Sequence, residues 1–174
     1  MDNQTNTSGG ANVGGDVNAG NDFVGRDKII NEYAKSQREE QWQIALNWGK
    51  NPDKPSMQGF DLAKRDLAEL SFDGANLSRV VLTGADLTES SFIGANLARA
   101  NLEGADLTGA KFNGANLTRA KLTGAKVDGA DFSGADLSGT DTFFCSADNK
   151  TIWPEGYKQP TITLPNLHKE NPFR

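Results

Sequence analysis

The chain has 174 residues, 36% hydrophobic and 24% charged, with a net charge of -5. That size reads as one domain with tails, and the acidic balance argues against direct nucleic-acid binding, which needs a basic surface, while leaving a protein partner open. One cysteine, Cys145, excludes an internal disulfide and a cysteine metal cage, and one histidine, His168, excludes a histidine cluster within the chain.

Met1 to Ala11 is polar and lacks the apolar run of a secretory signal. No stretch approaches the ~20 apolar residues of a membrane span. The expectation is a cytoplasmic chain without membrane contact. Residues 1–27 are rich in Gly, Asn and Asp, with Val17, Phe23 and Ile29 six apart. This leader is either a short strand-forming segment or a disordered one. Three apolar anchors cannot bury a core, so an ordered leader needs another chain, and residues 1–27 are a candidate route to a homo-oligomer.

Residues 28–56 are predicted as a helical cap and link. Ile30, Tyr33, Ala34, Gln37, Trp42, Ala45 and Leu46 make a ragged helical stripe, and Gly49 and Pro52 are stop signals. Residues 57–142 carry the dominant pattern. From Leu62 to Leu137 an apolar residue recurs at every fifth position, sixteen times in phase. Five matches neither the 3.6 of a helix nor the 2 of a strand. Phe72, Phe92, Phe112 and Phe132 lay a period of twenty over it, so four units close one turn. The pattern predicts an all-β solenoid of square cross-section and about four coils, with the phenylalanines as a core ladder along one wall.

One unit shows why. In Gly94-Ala95-Asn96-Leu97-Ala98, the residues Ala95 and Leu97 are two apart and share the inner side of an extended segment. Gly recurs before the small residue, where a tight corner favours positive φ. In the first coil the small-residue slot holds Phe60, Arg65 and Leu70. Residues that large require added structure over the rim, and Trp48 is the candidate to cover it. Residues 143–174 are read as a C-terminal plug, with Phe143, Phe144, Ile152 and Trp153, followed by a Pro-rich tail.

Three outward columns stand out. Arg79, Arg99 and Arg119 are twenty apart, and neighbouring unit charges at about 5 Å in water repel by roughly 0.8 kcal/mol. They are a candidate interaction face for an anion or an acidic protein; otherwise they are a solvated column sharing nearby carboxylates. Asp66, Asp86 and Asp106 form an acidic column ended by Lys126, open to two readings: mimicry of a phosphate row, or solubility and turn chemistry. Asn76, Asn96, Asn116 and Asp136 read as a structural amide ladder. Cys145 falls in a small-residue slot and reads as packing rather than as a nucleophile. No catalytic constellation, cofactor motif or metal-ligand spacing appears, so the chain reads as a non-enzyme with no cofactor.

The units Ala75-Asn76-Leu77, Ala85-Asp86-Leu87, Ala95-Asn96-Leu97, Ala105-Asp106-Leu107, Ala115-Asn116-Leu117 and Ala135-Asp136-Leu137 resemble the A-(D/N)-L-x-x consensus of the pentapeptide-repeat proteins. The resemblance covers about 80 residues and implies a right-handed quadrilateral β-helix and a bacterial origin. It also implies a non-catalytic structural or protein–protein interaction module with a protein partner. The alternative it implies is a DNA-mimicking inhibitor or modulator of a type II topoisomerase (gyrase). Members of that kind look like long, strongly acidic dimeric rods, whereas residues 60–142 here hold twelve acidic and eight basic residues.

Overall fold

In the computed structural model of the chain, residues 22–51 and 53–158 are described, with side chains from Lys28 onward. The leader residue Val17, the link residue Pro52 and the Pro-rich tail past Lys158 lie outside the described residues. The chain divides into two compact units, Met1–Lys35 and Ser36–Arg174.

In the first unit the described residues are helical and belong to α1 (Asp22–Asn47). Helix therefore begins six residues before the expected boundary at 28, and Phe23 and Ile29 lie on it rather than on a strand. The physical reason is backbone satisfaction. A helix closes its hydrogen bonds within itself, whereas a lone strand needs a partner edge. Ile29, Ile30 and Tyr33 are exposed.

The second unit is a stack of four-sided coils. Parallel bridges join residues twenty apart, as in Asp61↔Val81, Val81↔Asn101, Asn101↔Lys121 and Lys121↔Asp141. Each side of a coil bonds the next at three points. In the first coil Val81 N–H donates to Phe60 O at 2.8 Å, Leu62 N–H to Val81 O at 2.8 Å and Lys64 N–H to Thr83 O at 3.0 Å. The bridges stay one residue long because a corner interrupts every fifth position. Each corner is a turn in which the apolar centre's carbonyl accepts from the N–H three residues on, as Phe72 O does from Ala75 at 2.9 Å. The turn's third residue has positive φ, +71° at Gly74 and +64° at Gly94. That is the geometry of a type II turn, and it favours glycine.

Burial follows the five-residue pattern. The centres from Leu62 to Leu137 and the alanines two before them fill the interior, together with Met57, Val80 and Ser90. Ser90 stands in an alanine slot, where its hydroxyl donates to Leu87 O at 2.6 Å. The phenylalanines stack with centroids 5.3, 4.9 and 4.9 Å apart. Those spacings match the distance between hydrogen-bonded strands, so the backbone pitch sets the ring contact.

Both ends of the ring column carry tryptophan. Trp48 is buried, tilted against Phe72 at 6.4 Å, and its indole N–H donates to Pro55 O at 2.9 Å. The large first-coil residues meet the helix. Arg65 lies over the Trp42 ring at 4.5 Å and pairs with Glu39 at 3.1 Å, while Asp61 N–H donates to the Gln41 side chain at 2.8 Å. Phe60 and Leu70 pack against the core beside them.

At the far end Trp153 stacks on Phe132 at 5.1 Å and Tyr157 on Trp153 at 5.3 Å. Phe143, Phe144 and Ile152, expected in the plug, are instead 54%, 69% and 50% exposed. Phe143 and Phe144 keep the twenty-residue phase, which sets them one coil beyond Thr123 and the corner residue Gly124, with Phe144 at φ +58°; a change of register explains Ile152. Lys126 pairs with Ser146 at the usual twenty, but Asp131 pairs with Ile152 at twenty-one. One extra residue turns Ile152 outward and sets Trp153 over the phenylalanine column. Asp148 holds that longer turn, accepting from the N–H groups of Gly129 at 2.8 Å and Lys150 at 3.0 Å.

Candidate interaction surface

The outward residues fall into straight columns because the coil repeats every twenty. In the Asn76/Asn96/Asn116/Asp136 column the side chain just before each centre does not bond its counterpart in the next coil. Its side-chain oxygen accepts from the N–H two residues on, as in Asn76 to Ser78 at 3.2 Å, Asn96 to Ala98 at 3.1 Å and Asp136 to Ser138 at 2.9 Å. The expected amide ladder is thus a set of local Asx turns, which fix the entry to each corner.

The acidic column forms the same local turns. Asp66 accepts from Ala68 N–H at 3.2 Å, Asp86 from Thr88 at 3.0 Å and Asp106 from Thr108 at 3.2 Å, through one oxygen each. The second oxygen of Asp106 takes Lys126 at 3.0 Å. Partial burial works against ionisation of Asp106, but the hydrogen bonds from Thr108 and Lys126 outweigh it and hold the carboxyl below its usual range. Asp66 and Asp86 are exposed and make no ion pair among the described residues.

The arginine column sits on a corner. Arg79, Arg99 and Arg119 have φ of +60°, +60° and +58°. All three side chains are exposed, and among the described residues none is paired with a carboxylate. Between residues 59 and 139 the corner position recurs seventeen times, as glycine eleven times and as Lys64, Glu69, Arg79, Glu89, Arg99 or Arg119 at the other six. Every exception is charged, and the signs are sorted. Lys64 stands alone on one corner. The arginines share another, and Glu69 and Glu89 share the one half a coil away, beside the Asp66/Asp86/Asp106 face. Only part of this was visible beforehand. The glycine column marked the corners in sequence, but the left-handed backbone of the six exceptions comes from the structure.

Cys145 is half-buried, donates to Leu122 O at 2.9 Å, and its thiol is pushed up to about 11, first by burial. Such a thiol is protonated at neutral pH and unreactive. Among the described residues no group of three His, Cys, Asp or Glu side chains is placed to hold a metal ion. No described helix is long and apolar enough to cross a membrane.

The profile of the family described as pentapeptide repeats matches residues 66–104 and 100–139. No curated protein sequence matches the chain. Among solved structures, the pentapeptide repeat protein AT2G44920 from the Arabidopsis thaliana thylakoid lumen is 26% identical over 52% of this chain and 66% of its own, with a TM-score of 0.49. HetL, a pentapeptide repeat protein involved in heterocyst differentiation regulation in Nostoc sp. strain PCC 7120, is 29% identical over 59% of both chains, with a TM-score of 0.30. A trypsin-treated form of QnrB1, a plasmid-mediated fluoroquinolone resistance protein, is 18% identical over 54% of this chain and 63% of its own, with a TM-score of 0.27. The match covers less than two thirds of each of these chains. The five-residue phase, the four corners per coil and the repeat profile agree, and the array of this chain is a pentapeptide-repeat domain.

Proposed function

We propose that the chain is a non-catalytic protein-interaction module of the bacterial cytoplasm, wound as a right-handed quadrilateral β-helix. The sign-sorted corners support it. Glycine relaxes a left-handed corner, because a side chain there costs on the order of 1–2 kcal/mol. Three arginines kept on one corner place three guanidiniums in a line, about 4.8 Å apart by the strand spacing. A guanidinium forks onto a carboxylate, so an acidic protein is the natural partner. Affinity capture from the source cell tests this. Wild-type chain should retain a partner that the Arg79→Glu, Arg99→Glu, Arg119→Glu variant loses. An identical set of captured proteins would remove the arginine edge from the reading.

The alternative, a DNA mimic acting on a type II topoisomerase, rests on the acidic column. Lys126 pairs with Asp106 and leaves a row of two free carboxylates, Asp66 and Asp86, which is short for a phosphate row. A gyrase supercoiling assay decides it: inhibition favours the mimic, and unchanged supercoiling at high protein concentration rejects it. Self-association through residues 1–27 is a separate part of the proposal. Equal masses by light scattering with and without that leader would reject it.

A further inference from the structure

The arginine edge and the acidic face of the chain repeat at the same spacing. Arg79, Arg99 and Arg119 repeat once per coil on one corner. Asp66, Asp86 and Asp106 also repeat once per coil, as the bridges Asp66↔Asp86 and Asp86↔Asp106 show. Both columns therefore share one pitch, set by backbone hydrogen bonds. An extended acidic peptide does not share it, because its same-side residues recur at about 6.6–6.8 Å against about 4.8 Å here. Glu69 and Glu89 border the acidic column on the next corner, exposed and unpaired among the described residues. The side of the coil that precedes the arginine corner presents Asn76, Asn96 and Asn116, with no carboxylate before Asp136. The two columns lie on opposite parts of the coil, so they cannot pair within one chain. A polyanion such as DNA fits less well, because three guanidiniums on a chain of net charge -5 neutralise too few phosphates.

We infer that the Arg79/Arg99/Arg119 ridge of one copy docks on the Asp66/Glu69/Asp86/Glu89/Asp106 face of a second copy, with the coils side by side and parallel. This rests on the reading of the chain as an interaction module and names its partner. A ridge on a flat side brings each guanidinium to carboxylates at its own coil spacing. The contact joins different patches on the two copies, so it is heterologous and leaves one free patch at each end. Association is then open-ended, weak and salt-sensitive, as expected for exposed ion pairs acting in series.

Sedimentation velocity on the full chain tests this with two variants. One carries Arg79→Glu, Arg99→Glu and Arg119→Glu. The other carries Glu69→Gln, Glu89→Gln, Asp66→Asn and Asp86→Asn, in which asparagine keeps the Asx turns and no positive charge is introduced to attract the reversed ridge of the first. Far-ultraviolet circular dichroism and melting confirm that both fold. In salt of about 0.01 M the wild-type mass should rise with concentration, and in about 1 M salt it should stay at the monomer value. Each variant alone should remain a monomer of about 18.7 kDa at low salt. Their mixture retains one intact ridge and one intact acidic face, so it should stop at a dimer. A wild-type chain that stays monomeric at low salt overturns the docking. So does association that survives arginine reversal, or a mixture in which nothing pairs. Loss of association on deleting residues 1–27 also overturns it and transfers the contact to the leader. Arginine-dependent capture of a foreign protein by a monomeric wild-type chain would leave the interaction module standing while rejecting this partner.

Discussion

Arg99 holds the left-handed conformation that glycine holds on the neighbouring corner, after the phenylalanine side, at Gly74, Gly94, Gly114 and Gly134. Replacing it with glycine relieves about 1–2 kcal/mol of backbone strain and adds about 0.5–1 kcal/mol of chain entropy to be lost on folding. Arg99→Gly should therefore leave the urea midpoint unchanged or raise stability by up to about 1 kcal/mol. A clear loss instead would show that the arginine stem is needed for packing. Phe112 has the opposite character. It is fully buried, with rings 4.9 Å away on both sides. Phe112→Ala opens a void that stacked coils cannot close, because their spacing is fixed by the hydrogen bonds. Denaturant titration should show a loss of about 3–5 kcal/mol. The phenylalanine column was fully legible in the sequence. The conformational cost at Arg99 was not, since φ is a property of the corner.

At the scale of the element, many sides of the coils carry an Asn or Asp whose side chain fixes the next turn, as Asp106, Asp131 and Asp136 do. Asp148 joins them. Burial opposes ionisation of Asp131, but Asn113 and Ser133 outweigh it; Ser138 lowers Asp136; and the Gly129 N–H lowers Asp148. All four carboxyls are held below their usual range. A group depressed in the folded state stabilises fully above its unfolded value, about 3.9 for Asp, and loses that contribution as pH falls through the folded value. Melting temperature should be level from neutral pH to about pH 5 and fall below about pH 4. The Asp136→Asn variant keeps its Asx turn without a titrating group, so its acid loss should be smaller than that of the wild type. Equal acid sensitivity would place the titration elsewhere. The cap is also an element-scale matter. The oversized Phe60, Arg65 and Leu70 announced a cover in the sequence, but not that Glu39 and Trp42 would hold Arg65 between them. Those partners lie more than twenty residues away, and only packing brings them to it.

For the whole molecule, the division between Lys35 and Ser36 leaves every residue of the repeat array in one unit. Deletion of residues 1–27 should leave the melting temperature of that unit unchanged, as circular dichroism would show; a large drop would mean the leader supports the coils. The sequence by itself determined the coil. Residues two apart must share a side, glycine must turn the corner, and a period of twenty must place like side chains over one another, because these follow from local geometry. It did not determine the ends. The start of α1 at Asp22 depended on whether a strand edge was available, and the outward turn of Ile152 followed from one extra residue in the last coil. Nor did it determine which outward charges stay unpaired, such as Arg79 and Glu89, and which are taken up, such as Lys126. A repeat fixes everything that depends on the next coil. What happens where there is no next coil, or where two long side chains can reach each other, is decided by contacts that only the folded chain creates.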